Sequence, residues 1–218
     1  MAIMGLGEGI DLLQQRARLL KFLLAGGFVL VAAVLIGEIA ELGGLLAIDD
    51  VIHLSSAAGL YLGVIVLDFL VSITTIVIFS MWIYRAAANI VAAEVHGFAY
   101  TPGWAVGWYF IPFANLFKPF AAMRQIWNAS HGERNERLDH ANGLLALWWG
   151  TWILSNIAAN ISFRLTFNAA SPEEALLGLQ IGIASSIVSL VLYPAAYKLV
   201  DQITTAQSER LTATNIFV

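Results

Sequence analysis

One carboxylate, Asp68, lies inside a long apolar run of the sequence, where it could carry out intramembrane chemistry. The run extends from about Gly59 to Tyr84, so Asp68 lies about nine residues, or about 13 Å of helix, from its start. A carboxylate at that depth is unfavourable by several kcal/mol unless it is paired, hydrogen bonded or protonated. Two interpretations stay open: Asp68 is a step in a proton or ion relay, or it is a polar contact that fixes the register of packed helices.

Polar residues in other apolar runs could reach the same depth as Asp68. Ser72 follows one helical turn after it, on the same helix face. Asn156, Asn160 and Arg164 recur at four-residue steps, which places them together on one face of another helix. We therefore predict an intramembrane polar cluster of these five residues. A small transporter or channel is one function that such a cluster could serve.

The sequence has no other arrangement typical of a catalytic or cofactor site. Cysteine is absent, and the four histidines fall in predicted loops or at helix ends, where they are poorly placed to hold haem between helices. The zinc-protease and nucleophile-elbow motifs do not occur. Seven residues predicted on the outer side could ligate a cation, but they lack the spacing of a calcium loop. They are Glu38, Glu41, Asp49, Asp50, His53, Glu173 and Glu174. We predict no enzyme activity, metal or cofactor.

The composition is that of a membrane protein. Charged residues make up 12% of the 218 residues and hydrophobic residues 59%, which excludes a soluble enzyme, a disordered chain and a nucleic-acid-binding protein. Four stretches have the ~20 apolar residues that a membrane helix needs. They are about 19–40, 59–84, 144–165 and 176–199. We expect a short interfacial helix before the first span, and we expect the second helix to continue to His96 and end at Gly97.

A fifth apolar stretch, about 104–123, is broken by Pro112 and Pro119. Proline removes a helical hydrogen bond, and backbone freed in this way persists at membrane depth only against protein or water. With four spans and both termini in the cytoplasm, ten of the eleven Lys and Arg residues lie on the inner side. A fifth span would move three arginines outside. The sequence therefore predicts an all-α integral membrane protein with four transmembrane helices and a proline-broken re-entrant or interfacial element between helices 2 and 3.

Aromatic and basic residues gather around the broken element. Tryptophan favours the headgroup level, and lysine and arginine attract anionic headgroups. We predict that one set of residues contacts an anionic lipid or an acidic partner. The set is Arg85, Trp104, Trp108, Asn115, Lys118, Arg124 and Trp127. The alternative is a simple interfacial anchor whose basic side chains extend to the membrane surface.

The same region resembles a known family pattern: Trp-x-x-Arg-x-x-x-Asn, then Pro-x-Trp-Ala-x-x-x-Trp-Phe-x-Pro-x-x-Asn-Leu-x-x-Pro, then Met-x-x-x-Trp. The matching positions are Trp82, Arg85, Asn89, Pro102, Trp104, Trp108, Pro112, Asn115, Leu116, Pro119, Met123 and Trp127. Tyr109 and Phe110 depart mildly from the Trp-Phe step. With a late Asp-Gln-Ile-Thr-Thr-Ala-Gln segment, the chain resembles the bacterial membrane family called domain of unknown function (DUF4328). The resemblance implies a small helical membrane protein and no established activity.

These features predict one helical membrane domain over residues 1–218, in the bacterial inner membrane. The predicted function is that of a non-catalytic accessory or scaffold protein that packs against a larger membrane assembly. The alternatives are a small transporter or channel that uses Asp68 with Asn156 and Asn160, and an anionic-lipid-binding protein. The expected partners are the lipid bilayer and either a protein of a membrane complex or a second copy of the chain; nucleic acid is not expected.

Overall fold

A computed structural model describes residues 5–46, 56–132 and 143–214 of the protein. Within these ranges all regular structure is helical. In chain order the elements are α1 (Leu6–Leu42), α2 (Ser56–Ala92), α3 (Pro102–Gly107), 3₁₀ turns at Trp108–Phe110 and Ala114–Leu116, α4 (Lys118–His131), α5 (Gly143–Phe167) and α6 (Pro172–Thr214). Four helices, α1, α2, α5 and α6, are long and apolar enough to cross a membrane. The predicted fold class is confirmed, including the broken element between the second and third long helices.

The ends of two long helices differ from the predictions. The expected interfacial helix and the first span are one continuous helix, α1, of 37 residues. Helix α2 ends at Ala92, before the predicted end at Gly97. The reason is local: Glu94 has a φ of 51° and Gly97 a φ of 84°, and a right-handed helix does not continue through left-handed residues.

One compact unit consists of the described parts of Met1–Phe22, Thr75–Trp149 and Ala196–Val218. Its core contains large side chains that are almost completely buried, and every one of its long helices contributes at least one. They are Leu13 and Leu20 of α1, Trp82, Ile83 and Ile90 of α2, Met123 and Ile126 of α4, Leu145 of α5, and Leu199, Val200 and Ile203 of α6. Helix α4 is therefore an integral part of this core.

A second compact unit consists of Leu23–Thr74 and Gly150–Ala195. Many of its large apolar side chains point outward, as lipid-facing helices require; examples are Phe28, Val29, Leu60, Phe69, Leu154 and Ile187. Its helices approach closely at glycines. A Cβ on Gly27 would lie 2.5 Å from the Tyr193 ring, and a Cβ on Gly37 would overlap the Tyr61 ring. In both contacts a tyrosine ring of one helix packs against a glycine of another helix, and the missing side chain allows the close approach.

Candidate functional site

Two carboxylates, Glu38 of α1 and Asp68 of α2, belong to the second unit, and the charge of Asp68 acts on Glu38. Both side chains are half-buried. One oxygen of each, Glu38 Oε2 and Asp68 Oδ1, is fully buried and has no hydrogen-bond partner among the described residues. Glu38 was expected on the outer surface with other acidic residues; the structure instead gives Asp68 a second carboxylate as its neighbour.

Hydroxyl groups from the other helices surround this carboxylate pair. The Ser186 hydroxyl of α6 lies beside Glu38. The Tyr193 hydroxyl, also on α6, lies beside Ser72 and is close enough to Asp68 for its charge to act on it. Of the predicted intramembrane cluster, the structure therefore brings Asp68 and Ser72 together. We call Glu38, Asp68, Ser72, Ser186 and Tyr193 the carboxylate cluster.

The backbone of α6 comes very close to Glu38. A Cβ on Gly182 would lie 3.0 Å from Glu38 Oε1 and 3.0 Å from the Ser162 hydroxyl of α5. Glycine at this position leaves room for the carboxylate between the helices. Among the described residues, no group of three or more histidine or acidic side chains could hold a metal ion; Asp49, Asp50 and His53 lie outside the described residues.

The amides of α5 do not join the carboxylate cluster. Asn156, Asn160 and Arg164 are all exposed, and the Asn156 amide donates to the Trp152 carbonyl of its own helix at 2.8 Å. In the described part of the chain, no hydrogen bond connects Asn156 or Asn160 to Asp68. The buried polar residue of α5 is Ser155, whose carbonyl accepts from the Ser185 hydroxyl at 3.0 Å. The predicted four-residue stripe exists, but it lies on the outward face, so its grouping with Asp68 is corrected.

A second polar group, in the first unit, is completely buried and centres on Gln207 of α6. Its Nε2 donates to the Ala86 carbonyl at 3.1 Å and to the Ser130 hydroxyl at 3.0 Å. Its Oε1 accepts from Asn89 Nδ2 at 3.2 Å, and the same amide donates to the Gly9 carbonyl at 3.2 Å. We call Asn89, Ser130 and Gln207 the amide clamp. It joins α1, α2, α4 and α6, so its clearest role is to hold the unit together.

Two further residues of the sequence pattern support this clamp. The Trp82 indole N–H donates to the Thr204 hydroxyl at 3.0 Å, which adds a second polar link between α2 and α6. The guanidinium of Arg85 and the Oδ1 of Asn89 both face Gly9, where an added Cβ would overlap the Asn89 oxygen. Arg85 is 8% exposed. Arg85, for which the sequence predicts contact with an anionic lipid or an acidic partner, lies beside Gly9 of α1.

The broken element is built from short, capped turns. The Thr101 hydroxyl caps α3 by accepting from the Trp104 amide at 3.3 Å. The chain then reverses through two 3₁₀ turns, and Phe113 between them has a φ of 63°. A non-glycine residue in that region carries strain of order 1–3 kcal/mol. The element is anchored to α5, because the Trp149 indole donates to the Leu116 carbonyl at 3.2 Å.

The predicted headgroup-contact residues separate into exposed and buried groups. Trp104 is exposed, and Lys118 is exposed with its ammonium 5.5 Å from the ring centroid of Trp108. Trp127 is buried and stacks on His131 with 4.1 Å between ring centroids. Arg124 is half-buried and lies near Tyr100; burial raises the pKa of the Tyr100 hydroxyl, and the positive charge of Arg124 opposes that rise. Asn115 is half-buried in the second 3₁₀ turn.

A model of one protein family matches residues 47–205, nearly three quarters of the chain. The chain belongs to the family described as domain of unknown function (DUF4328). No curated protein and no solved structure matches it. The match to the DUF4328 model confirms the resemblance expected from the Trp82–Trp127 pattern.

The DUF4328 match includes part of each polar group. Asp68, Ser72, Ser186 and Tyr193 lie within it, whereas Glu38 precedes it. Asn89 and Ser130 also lie within it, whereas Gly9 and Gln207 fall outside. Sequence reasoning missed Glu38 and Tyr193 as neighbours of Asp68. The available signal was that Glu38 lies inside the predicted first span.

Proposed function

We propose that the protein is a non-catalytic scaffold that packs against a larger assembly in the bacterial inner membrane, with both termini in the cytoplasm. The exposed amides of α5 are the observation that carries this proposal. A membrane helix that turns Asn156 and Asn160 outward leaves polar groups toward hydrocarbon, where each unmet hydrogen bond is unfavourable. Contact with another protein would satisfy them. The orientation is supported by the distribution of lysine and arginine along the sequence.

The residues around these amides suit a helix–helix contact. At about 100° per residue, Asn156, Ala159, Asn160, Phe163 and Phe167 share one side of α5. All five are exposed, and the two phenylalanine rings pack together with 4.8 Å between centroids. The small Ala159 permits close approach of a second helix, and asparagine amides contribute roughly 0.6–2 kcal/mol each across membrane interfaces. We call this side the amide face of α5.

The opposite side of α5 provides a matched control. Leu147 and Leu154 are exposed there, about 160–180° from Asn156. The double variant Asn156→Leu/Asn160→Leu is compared with Leu147→Ala/Leu154→Ala after extraction from native membranes in a mild detergent, by native electrophoresis and intact-complex mass spectrometry. The proposal expects a larger assembly with the wild type and the leucine control, and its loss with the asparagine variant. An assembly that survives the asparagine variant would contradict this role for the amide face.

A second candidate function, a proton or monovalent-cation relay, is favoured by the carboxylate cluster. Two carboxylates in a low-dielectric setting repel each other, and a shared proton or cation relieves that repulsion. The buried oxygens Glu38 Oε2 and Asp68 Oδ1 are available to accept one. Intramembrane acidic residues commonly mark such paths.

The relay is tested in proteoliposomes with an internal pH-sensitive dye and, separately, a sodium-sensitive dye. A relay predicts flux in the wild type and its loss in Glu38→Gln and Asp68→Asn, each of which keeps similar shape without the charge. Glu173→Gln, at the exposed start of α6, is the control and should retain flux. Absence of flux in the wild-type protein would remove this candidate and leave the scaffold proposal intact.

A further inference from the structure

We propose that the tip of the broken element, residues 110–117, inserts into the hydrocarbon region of one membrane leaflet. In this position the tip is surrounded by lipid acyl chains. Three aromatic rings form the tip: Phe110 is 71% exposed, Phe113 83% and Phe117 70%. Three outward phenylalanines within eight residues are an apolar surface of the kind that marks a membrane or protein contact.

The attachment of the tip to α5 sets its depth. Helix α5 has 25 residues and is about 37 Å long, compared with about 30 Å of hydrocarbon. Trp149 lies six residues after Gly143, about 9 Å along the axis. Even if the whole surplus of about 7 Å lay at the Gly143 end, Trp149 would lie within the hydrocarbon region. Its indole holds the Leu116 carbonyl at that level.

The opposite end of α5 supports a deep position for Trp149. Arg164 is exposed three residues before the helix ends at Phe167. A guanidinium favours the headgroup region over hydrocarbon. The surplus length of α5 therefore belongs at the Arg164 end, which moves Trp149, and Leu116 with it, further from the membrane surface.

Four successive backbone amides of the tip, those of residues 114–117, are hydrogen bonded within the protein. The amide of Asn115 donates to the Ile111 carbonyl at 2.9 Å, and that of Phe117 donates to the Ala114 carbonyl at 3.1 Å. The Leu116 amide donates to the Phe113 carbonyl at 3.2 Å. A loop in water does not need such pairing, whereas non-helical backbone in lipid does. The second 3₁₀ turn thus pairs the backbone of the part of the tip that Trp149 holds, which reduces the cost of placing it in hydrocarbon.

The residues flanking the tip suit the headgroup region. The Lys118 ammonium lies over the Trp108 ring, and the Trp104 and Trp108 rings lie 4.9 Å apart. Tryptophan is enriched at the membrane interface, and a lysine stem can extend its charge to it. The tryptophans and the lysine thus lie at the base of the element and the three phenylalanines at its tip. This order matches the change from headgroups to hydrocarbon with depth in the membrane.

The absence of cysteine from the sequence allows a direct test. Single cysteines replace Phe113 or, separately, Phe117, and are labelled with a nitroxide in vesicles of phosphatidylethanolamine and phosphatidylglycerol. Collision with oxygen, which partitions into lipid, and with a water-soluble nickel chelate is measured by electron paramagnetic resonance. Leu154→Cys is the lipid-facing control, and Glu209→Cys, exposed near the end of α6, is the aqueous control.

Insertion predicts that both tip labels resemble Leu154→Cys, with oxygen collisions several-fold more frequent than nickel collisions. Labels that resemble Glu209→Cys would overturn the proposal, because the tip would lie in water. Protection from both reagents would also overturn it, because protein would then cover the tip. If the Phe113 variant fails to elute as folded protein, the Phe117 variant gives the result alone. None of these outcomes depends on the scaffold or relay candidates.

Discussion

Replacing Gln207 by leucine tests whether the amide clamp holds the first unit together. The glutamine side chain is 0% exposed and makes three hydrogen bonds of 3.0–3.2 Å. Leucine has a similar volume, so the change leaves little cavity. Two partners keep another bond, because the Ser130 hydroxyl donates to the Ile126 carbonyl and the Asn89 amide donates to Gly9. The expected loss is therefore about 0.6–1 kcal/mol for each bond, or about 2–3 kcal/mol of unfolding free energy in total.

The loss is measured as a change in melting temperature in detergent micelles, followed by tryptophan fluorescence. For a chain of this size, 2–3 kcal/mol corresponds to a decrease of about 4–12 °C in the melting temperature. Gln202→Leu is the matched control: Gln202 is exposed on the same helix, so its replacement should change the unfolding free energy by less than about 0.5 kcal/mol. If Gln207→Leu has the same melting temperature as Gln202→Leu, the amide clamp does not stabilise the first unit.

Three further predictions use the same melting assay. Gly9→Ala should lower the unfolding free energy by about 1–3 kcal/mol, because its methyl group would overlap Asn89 Oδ1. The control Gly7→Ala meets nothing within 4 Å, so it should leave the unfolding free energy unchanged or raise it. Gly27→Ala should lower the unfolding free energy by a similar amount, because its methyl group would meet the Tyr193 ring, whereas the control Gly26→Ala has open space. If either variant has the same melting temperature as its control, the close packing at that glycine is contradicted. Trp82→Phe removes the indole hydrogen bond to Thr204, which should lower the unfolding free energy by about 1 kcal/mol. An unchanged melting temperature would refute that contribution.

The positions of the long helices could be predicted because hydropathy depends only on local composition. Each predicted span lies inside one observed helix, for example 19–40 within Leu6–Leu42. Hydropathy could not give the full lengths. Asn89 lies in the predicted extension of the second helix to His96, and Gln207 lies beyond the last predicted span. Both are in helices, where a buried hydrogen bond between helices joins them. Such contacts join residues more than a hundred positions apart, and no local pattern encodes them.

The candidate site could be predicted only in part for a similar reason. An isolated carboxylate in an apolar run identified Asp68 without any knowledge of packing. The four-residue spacing of Asn156 and Asn160 defined a shared face, but spacing alone does not say whether that face turns inward. Packing decided it: the neighbouring Ser155 is buried on α5, and the amides turn out. Glu38 was missed because its position near the end of a span resembles that of a surface residue.

Hydrogen-bond completeness distinguishes Gln207 from the two carboxylates, although Asn89 Oδ1 of the amide clamp is also buried without a hydrogen-bond partner among the described residues. Gln207 uses both ends of its amide, so a bound solute would have to break existing bonds to interact with it. Glu38 and Asp68 each keep one buried oxygen without a hydrogen-bond partner in the described structure. An ionised carboxylate in that condition is unfavourable unless a proton or cation is present. The charge of the two carboxylates, which an amide lacks, is therefore the reason to propose proton or cation binding at the carboxylate cluster; both polar groups contain residues of the DUF4328 match.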